Sequence, residues 1–151
     1  MAVPYDMFTI IFLRKISEYE FVNMELEERQ AIVDGYMKSS LSSSTFQKVI
    51  DYDFAGTADD VSRSFDLDVD EHELYDIVDI ASEGMIIQWL KPFVYNQDNL
   101  SNVLSTRDYS IYSPAELLYR IGNAYDTAQK NYTQMLREYS YNHGDLTELH
   151  L

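Results

Sequence analysis

The sequence predicts an all-α protein: a single helical bundle with a long C-terminal helix and an extended C-terminal tail. Three observations carry this. Only five Gly and three Pro occur in 151 residues, so breakers are few. Apolar residues recur at spacings of three and four through most of the chain. No low-complexity linker or internal repeat divides it, and its length fits one domain able to bury roughly two-thirds of its unfolded surface.

Taken in order, residues 5–19 place Phe8, Ile11, Phe12 and Ile16 at helical spacing, with Asp6 near the start where the helix dipole favours an anion. Asn23 then caps a second helix, opening Met24-Glu25-Leu26-Glu27-Glu28 and continuing to about Lys38, with Leu26, Ile32 and Tyr36 facing inward. Ser39 to Thr45, rich in serine, is expected to be a connector, and Phe46, Val49 and Ile50 mark a further short helix. Between Asp51 and Arg63, Gly56 and the Asp59-Asp60 pair point to a loop capping one more helical turn.

The stretch Asp66-Leu67-Asp68-Val69-Asp70-Glu71-His72-Glu73-Leu74 places an acid at every second position before the pattern breaks. A calcium loop needs ligands at positions 1, 3 and 5, Gly at 6 and Glu at 12. Asp66, Asp68 and Asp70 meet the first three, but Glu71 and Ile77 occupy the two most specific positions. The stretch reads better as a helix start in which Asp70 accepts from the Glu73 amide and Glu73 reaches back, an acidic form of the capping box. An acidic contact surface is the other reading. The helix it opens runs from Glu71 to about Leu90, with Leu74, Ile77, Val78, Ala81, Met85 and Trp89 on one stripe and Ile80, Ile87 and Leu90 beside it. Pro92 is expected to end it, with Lys91 set against the dipole.

Ser113-Pro114-Ala115-Glu116 supplies a cap, a proline at the first helical position and a glutamate three residues after the cap. From there Leu118, Ile121, Tyr125, Ala128, Tyr132, Met135 and Tyr139 form a seam that packs on the rest of the domain or meets another subunit. Asn142-His143-Gly144 stops this helix. The remaining residues, 145–151, are too few for a core of their own, and their three leucines need a surface to cover.

Composition narrows the chemistry. Eleven Lys and Arg against 26 Asp and Glu give a net charge of −15, which opposes wrapping of nucleic-acid phosphates and favours basic or apolar partners. With no cysteine, disulfides, thiol catalysis and cysteine zinc sites are excluded. The apolar run Met7 to Leu13 is too short to span a bilayer and lacks the flanks of a signal peptide, so a soluble protein made in the cytoplasm is expected. Thirteen Tyr point to interfaces. His72, His143 and His150 have no metal-binding spacing. Gly-rich phosphate loops and nucleophile elbows are missing. Pairs such as Asp59 with Asp60 and Asp76 with Asp79 are expected from acid content alone, so no cofactor, metal or catalytic residue is assigned.

Residues 65–146 carry a recurring order of motifs: an acidic helix start, a long apolar helix ending Gln88-Trp89-Leu90-Lys91-Pro92, then Ser105-Thr106-Arg107-Asp108-Tyr109 and Ser113-Pro114-Ala115-Glu116-Leu117-Leu118. A closing helix follows, ending Tyr139-Ser140-Tyr141 before Gly144-Asp145-Leu146. This order resembles the small neck proteins of tailed bacteriophages, the head-to-tail connector or adaptor (head completion) proteins that dock on the portal ring. The resemblance implies a helical connector-like domain over residues 1–141 and a C-terminal tail over 142–151, without enzyme activity. It implies a twelvefold ring between portal and tail, assembled in the virion neck from chains made in the bacterial host cytoplasm. Portal and other neck or tail proteins would be the partners, reached through Tyr139, Tyr141, Asp145, Leu146, Leu149 and Leu151. DNA would pass through the channel without sequence-specific binding, along a wall whose negative charge keeps phosphates from sticking. The rival reading is an acidic DNA mimic or inhibitor that occupies a basic site on a nucleic-acid-binding partner.

Overall fold

In the computed structural model, which describes residues 2–16, 26–95 and 114–143, a short strand β1 (Ala2–Pro4) turns directly into helix α1 (Tyr5–Ile16). Asp6 sits in the first turn of α1 and Arg14 and Lys15 in the last, each matched to the dipole. Tyr5, Phe8, Thr9, Phe12 and Ile16 form its buried face, with Ile11 half-buried beside them. The expected extension to Tyr19 and the cap at Asn23 lie outside the described residues.

Helix α2 (Leu26–Ser42) buries Val33, Met37, Ser40 and Leu41. Tyr36 is half-buried as expected, but Ile32 is 43% exposed, because each residue turns the helix by about 100° and the inward stripe is centred one position later. The side chain of Leu26 lies outside the described residues. Helix α2 also continues through Ser39 to Ser42, where a connector was expected. The buried Ser40 hydroxyl donates to the Ala81 carbonyl at 2.8 Å, so the serine is satisfied inside a helix–helix contact and does not compete with its own backbone.

Ser43 caps α3 (Ser44–Val49), accepting from the Phe46 amide at 3.2 Å. Asp53 then caps the single turn of α4 (Phe54–Thr57), accepting from the Gly56 amide at 2.9 Å. This is the extra helical turn that Gly56 pointed to.

The bundle carries a small sheet that the apolar periodicity did not reveal. Strands β2 (Ala58–Asp59) and β3 (Ser64–Asp66) join β1 in an antiparallel sheet of order β1-β3-β2, pairing Val3 with Phe65 and Phe65 with Ala58. The alternating acidic stretch belongs to this extended chain: Phe65, Leu67 and Val69 are buried while Asp66, Asp68 and Asp70 point to solvent. That is the period-two pattern of a half-buried strand. Phe65 lies at the centre of an aromatic cluster, with its ring centroid 4.7 Å from Tyr5, 5.5 Å from Phe54 and 5.8 Å from Phe8.

Helix α5 (Glu71–Tyr95) is the axis of the fold, and α1, α2 and the closing helix α6 (Pro114–His143) pack around it. At 1.5 Å per residue the two long helices span about 37 and 45 Å. Every residue of the expected α5 stripe is buried, and Ile80, Ile86, Leu90 and Phe93 extend the buried surface around the helix. Contrary to expectation, α5 runs through Pro92. The proline's fixed φ suits a helix, its ring is on the exposed side, and the buried Phe93 holds the last turn against the core. Only the bond to the Gln88 carbonyl is given up. Along α6, Ile121, Ala124, Tyr125, Ala128, Leu136 and Tyr139 are buried and Tyr132 and Met135 half-buried, so the seam packs on this chain's own core. Among the described residues the protein has six helices and this one sheet, a helical bundle closed by a long C-terminal helix.

Candidate functional site

The end of α6 is where sequence reasoning placed partner contacts, and the structure divides those residues sharply. Tyr139 is buried, and its hydroxyl donates to the Glu73 carboxylate at the start of α5. Burial raises its pKa, and Glu73 raises it further. Tyr52 shares the same carboxylate and is pushed up to about 12, first by burial and then by Glu73. Glu73 therefore ties α6 and the segment before α4 to the start of α5, and does not close the box with Asp70 that the sequence led one to expect. The Asp70 carbonyl still accepts the first helical bond, from the Leu74 amide at 2.8 Å. Tyr141, two residues beyond Tyr139, is 70% exposed. Asp145, Leu146, Leu149 and Leu151 lie outside the described residues, as do His150 and the 105–109 motif.

Beside this tie a small groove of about 140 Å³ runs between α5 and α6, lined by Asp76, Asp79, Met135, Glu138, Tyr139 and Asn142. Lys15 reaches its edge, donating to Asp79 at 2.7 Å and lying 3.3 Å from Glu83. Farther along, the outer face of α6 presents Asp126, Gln129, Lys130, Thr133, Arg137 and Glu138, a mixed-charge surface on a strongly acidic protein.

A second polar centre was not legible in the sequence. Arg63 sits at the end of the turn between β2 and β3 with φ of 52°, and its guanidinium binds Asp34 through two hydrogen bonds and Asp6 through a third at 2.9 Å. Asp34 and then Asp6 keep its charge fixed by raising its pKa. Its carbonyl accepts from the Tyr5 amide at 2.8 Å, and Tyr5 donates through its hydroxyl to Asp60 at 2.8 Å. Burial, then Asp60, push the Tyr5 phenol up to about 12. Lys38 completes the group at 2.8 Å from the same Asp60 oxygen, and Lys38 and Tyr5 hold that carboxyl below the usual carboxylate range. Asp59 caps the turn, accepting from the Val61 and Ser62 amides. The Asp59-Asp60 pair thus has its work within the fold.

Next to this centre lies a larger groove, about 390 Å³, between the end of α2, α4 and β3. Leu41, Phe54, Ala55, Ala58 and Phe65 form its apolar wall, and Lys38 stands on its rim.

Among the described residues, no group of three His, Asp or Glu is arranged to hold a metal ion. Asp66, Asp68 and Asp70 are spread along one extended segment and His72 is exposed. No described helix is long and apolar enough to cross a membrane. No family model, curated protein or solved structure matches this chain.

Proposed function

We propose that this chain is a structural protein of a tailed-phage neck, assembling as a ring that joins the portal to the tail and lets DNA pass. The observation that supports the reading is the far end of α6, secured internally by Tyr139 with Tyr141 left outward, in a chain whose residues 65–146 carry the neck-like motif order. Partner contact then runs through Tyr141 and the tail residues Asp145, Leu146, Leu149 and Leu151, with Tyr139 anchoring the end of α6. A closed ring requires heterologous contacts between identical subunits. Copies carrying −15 each associate only if those contacts match charge, and the Lys130 and Arg137 side of α6 offers cations to a neighbour's acidic surface. No catalytic role is proposed.

The rival reading, an acidic mimic that fills a basic cleft, draws on the same net charge. It is weakened by the acids already paired within this chain: Asp6 and Asp34 on Arg63, Asp60 on Lys38 and Tyr5, Asp79 and Glu83 by Lys15, and Glu73 on Tyr139. A phosphate mimic needs its carboxylates free and in a row.

The deciding experiment recovers a tagged chain with its complexes from infected host cells, at moderate and at high salt. Portal and tail proteins together with a twelvefold ring in images would support the neck reading. A single basic partner lost at high salt would replace it with the inhibitor reading, because association driven by charge alone is screened.

A further inference from the structure

The face of α6 turned away from the core carries a stripe that is complementary to itself. Tyr119, Asn123, Asp126, Lys130, Thr133 and Arg137 are all exposed, Tyr119 by 70%. Their separations are four, three, four, three and four residues, so they hold one side of the helix over 18 residues, about 27 Å. The same alternation lets a stripe follow a second helix along its length. We propose that this stripe is a contact between two copies of the chain, their α6 helices lying antiparallel about a two-fold axis level with Ala128. The contact goes beyond the neck reading and does not depend on it.

Symmetry is the first argument. The separations read the same from either end, as a two-fold contact between identical helices requires. With the helices antiparallel and centred at Ala128, Asp126 meets Lys130 of the second copy, Asn123 meets its Thr133, and Tyr119 meets its Arg137. Each pair occurs twice. A parallel alignment would instead set Asp126, Lys130 and Arg137 each against its own like charge.

Chemistry is the second argument. The three pairs are an ion pair, an amide with a hydroxyl, and a guanidinium with an aromatic face, each an attractive combination. Among the described residues, Asp126, Lys130 and Arg137 make no ion pair within their own chain, whereas Lys15, Lys38, Arg63 and Arg120 each hold an acid. Copies carrying −15 each repel, so they meet only where charges match residue by residue. All subunits of a ring point the same way, so an antiparallel pair belongs to the free chain. It covers the Lys130 and Arg137 side of α6 until the copies part.

The full chain is followed by sedimentation equilibrium from about 5 to 200 µM, where a reversible dimer is expected. Asp126→Lys and Lys130→Asp each create two like-charge pairs at the centre of the contact, and each should weaken dimerisation at least about tenfold. The double swap, Asp126→Lys with Lys130→Asp, should restore it to within about threefold of the original. Net charge alone gives a different answer: Asp126→Lys would strengthen association and Lys130→Asp would weaken it. A chain that stays monomeric, single reversals that act in opposite directions, or a swap that fails to restore the dimer would overturn the proposal.

A disulfide test reads the orientation independently. The chain contains no cysteine, so any disulfide in Asn123→Cys with Thr133→Cys is assignable. The two positions lie about 15 Å apart on one helix, too far to join within a chain. Gentle oxidation followed by peptide mapping is expected to find 123 joined to 133 between copies. Links from 123 to 123 or from 133 to 133 as the main products, or no links between copies, would overturn the proposal.

Discussion

Arg63 grips Asp34 in a two-pronged bond, Nε to Oδ2 at 2.9 Å and Nη2 to Oδ1 at 2.7 Å, across 29 residues of sequence. The pair locks the β2–β3 turn to α2, while the third bond to Asp6 brings in α1. Both partners are mostly shielded from solvent, so removing one strands the other. Arg63→Ala should lower unfolding free energy by about 2 kcal/mol in urea titrations. Arg63→Lys should recover less than half of that, since an ammonium cannot reproduce the planar fork. Arg63→Gly should be about 1 kcal/mol more stable than Arg63→Ala, because only glycine adopts the positive φ without cost.

Gly84 of α5 lies against Ser40 of α2 and Tyr132 of α6. A Cβ there would fall 2.2 Å from Ser40 Oγ and 3.1 Å from Tyr132 Cε2. Clearing the first clash means rotating Ser40 away from the Ala81 carbonyl in a buried contact. Gly84→Ala gains about 1 kcal/mol of helix propensity but incurs overpacking of about 1 to 3 kcal/mol and a lost buried hydrogen bond. A net loss near 2 kcal/mol is expected, and a double-mutant cycle with Ser40→Ala should return part of it. Additive effects would show that the two sites do not touch.

Alkaline pH tests the tyrosine ties. Tyr5 and Tyr52 are pushed up to about 12 and Tyr139 is raised as well, whereas an unfolded tyrosine ionises near 10. Above pH 10 the unfolded chain has lost protons that the folded chain keeps, so the folded state binds more protons and stability falls as pH rises. The contribution is complete below pH 10 and disappears between about 10 and 12 for Tyr5 and Tyr52. Each such tyrosine adds up to about 1.4 kcal/mol per pH unit to the slope. Tyr52→Phe should make the decline of the unfolding free energy between pH 10 and 11.5 visibly shallower. An unchanged slope would mean that folding does not raise the Tyr52 phenol.

Much of the helical framework was legible in the sequence, for a physical reason. Helices α1 and α6 each bury one face, which imposes a period near 3.6, while α5, packed by three helices, shows as a long apolar run. The sheet was hidden because β1 has three residues and β2 has two, too few to establish any period. Strand β3 and its continuation did carry a signal: Phe65, Leu67 and Val69 alternate with Ser64, Asp66, Asp68 and Asp70. The acids drew the alternation toward a metal loop and a helix cap when the buried partners between them were the informative half. The polar centres were illegible for a different reason. Glu73 meets Tyr139 across 66 residues and Tyr5 meets Asp60 across 55, and no local pattern encodes such pairs.

Ending the chain at Asn142 separates the fold from the tail. The last residues known to anchor α6 are Leu136 and Tyr139, both buried, and both are retained. Far-UV circular dichroism should be nearly unchanged and Tm should fall by less than about 3 °C, because no buried side chain among the described residues is removed. Tyr139→Phe in the full chain should behave oppositely. It leaves the tail in place but strips the hydroxyl donor from Glu73, costing about 1 to 2 kcal/mol. If the tail carries partner contact, the shortened chain folds and fails to recover neck proteins, while Tyr139→Phe is less stable yet still recovers them. A shortened chain that binds its partners with unchanged affinity would move the contact back onto Tyr141 and the outer face of α6.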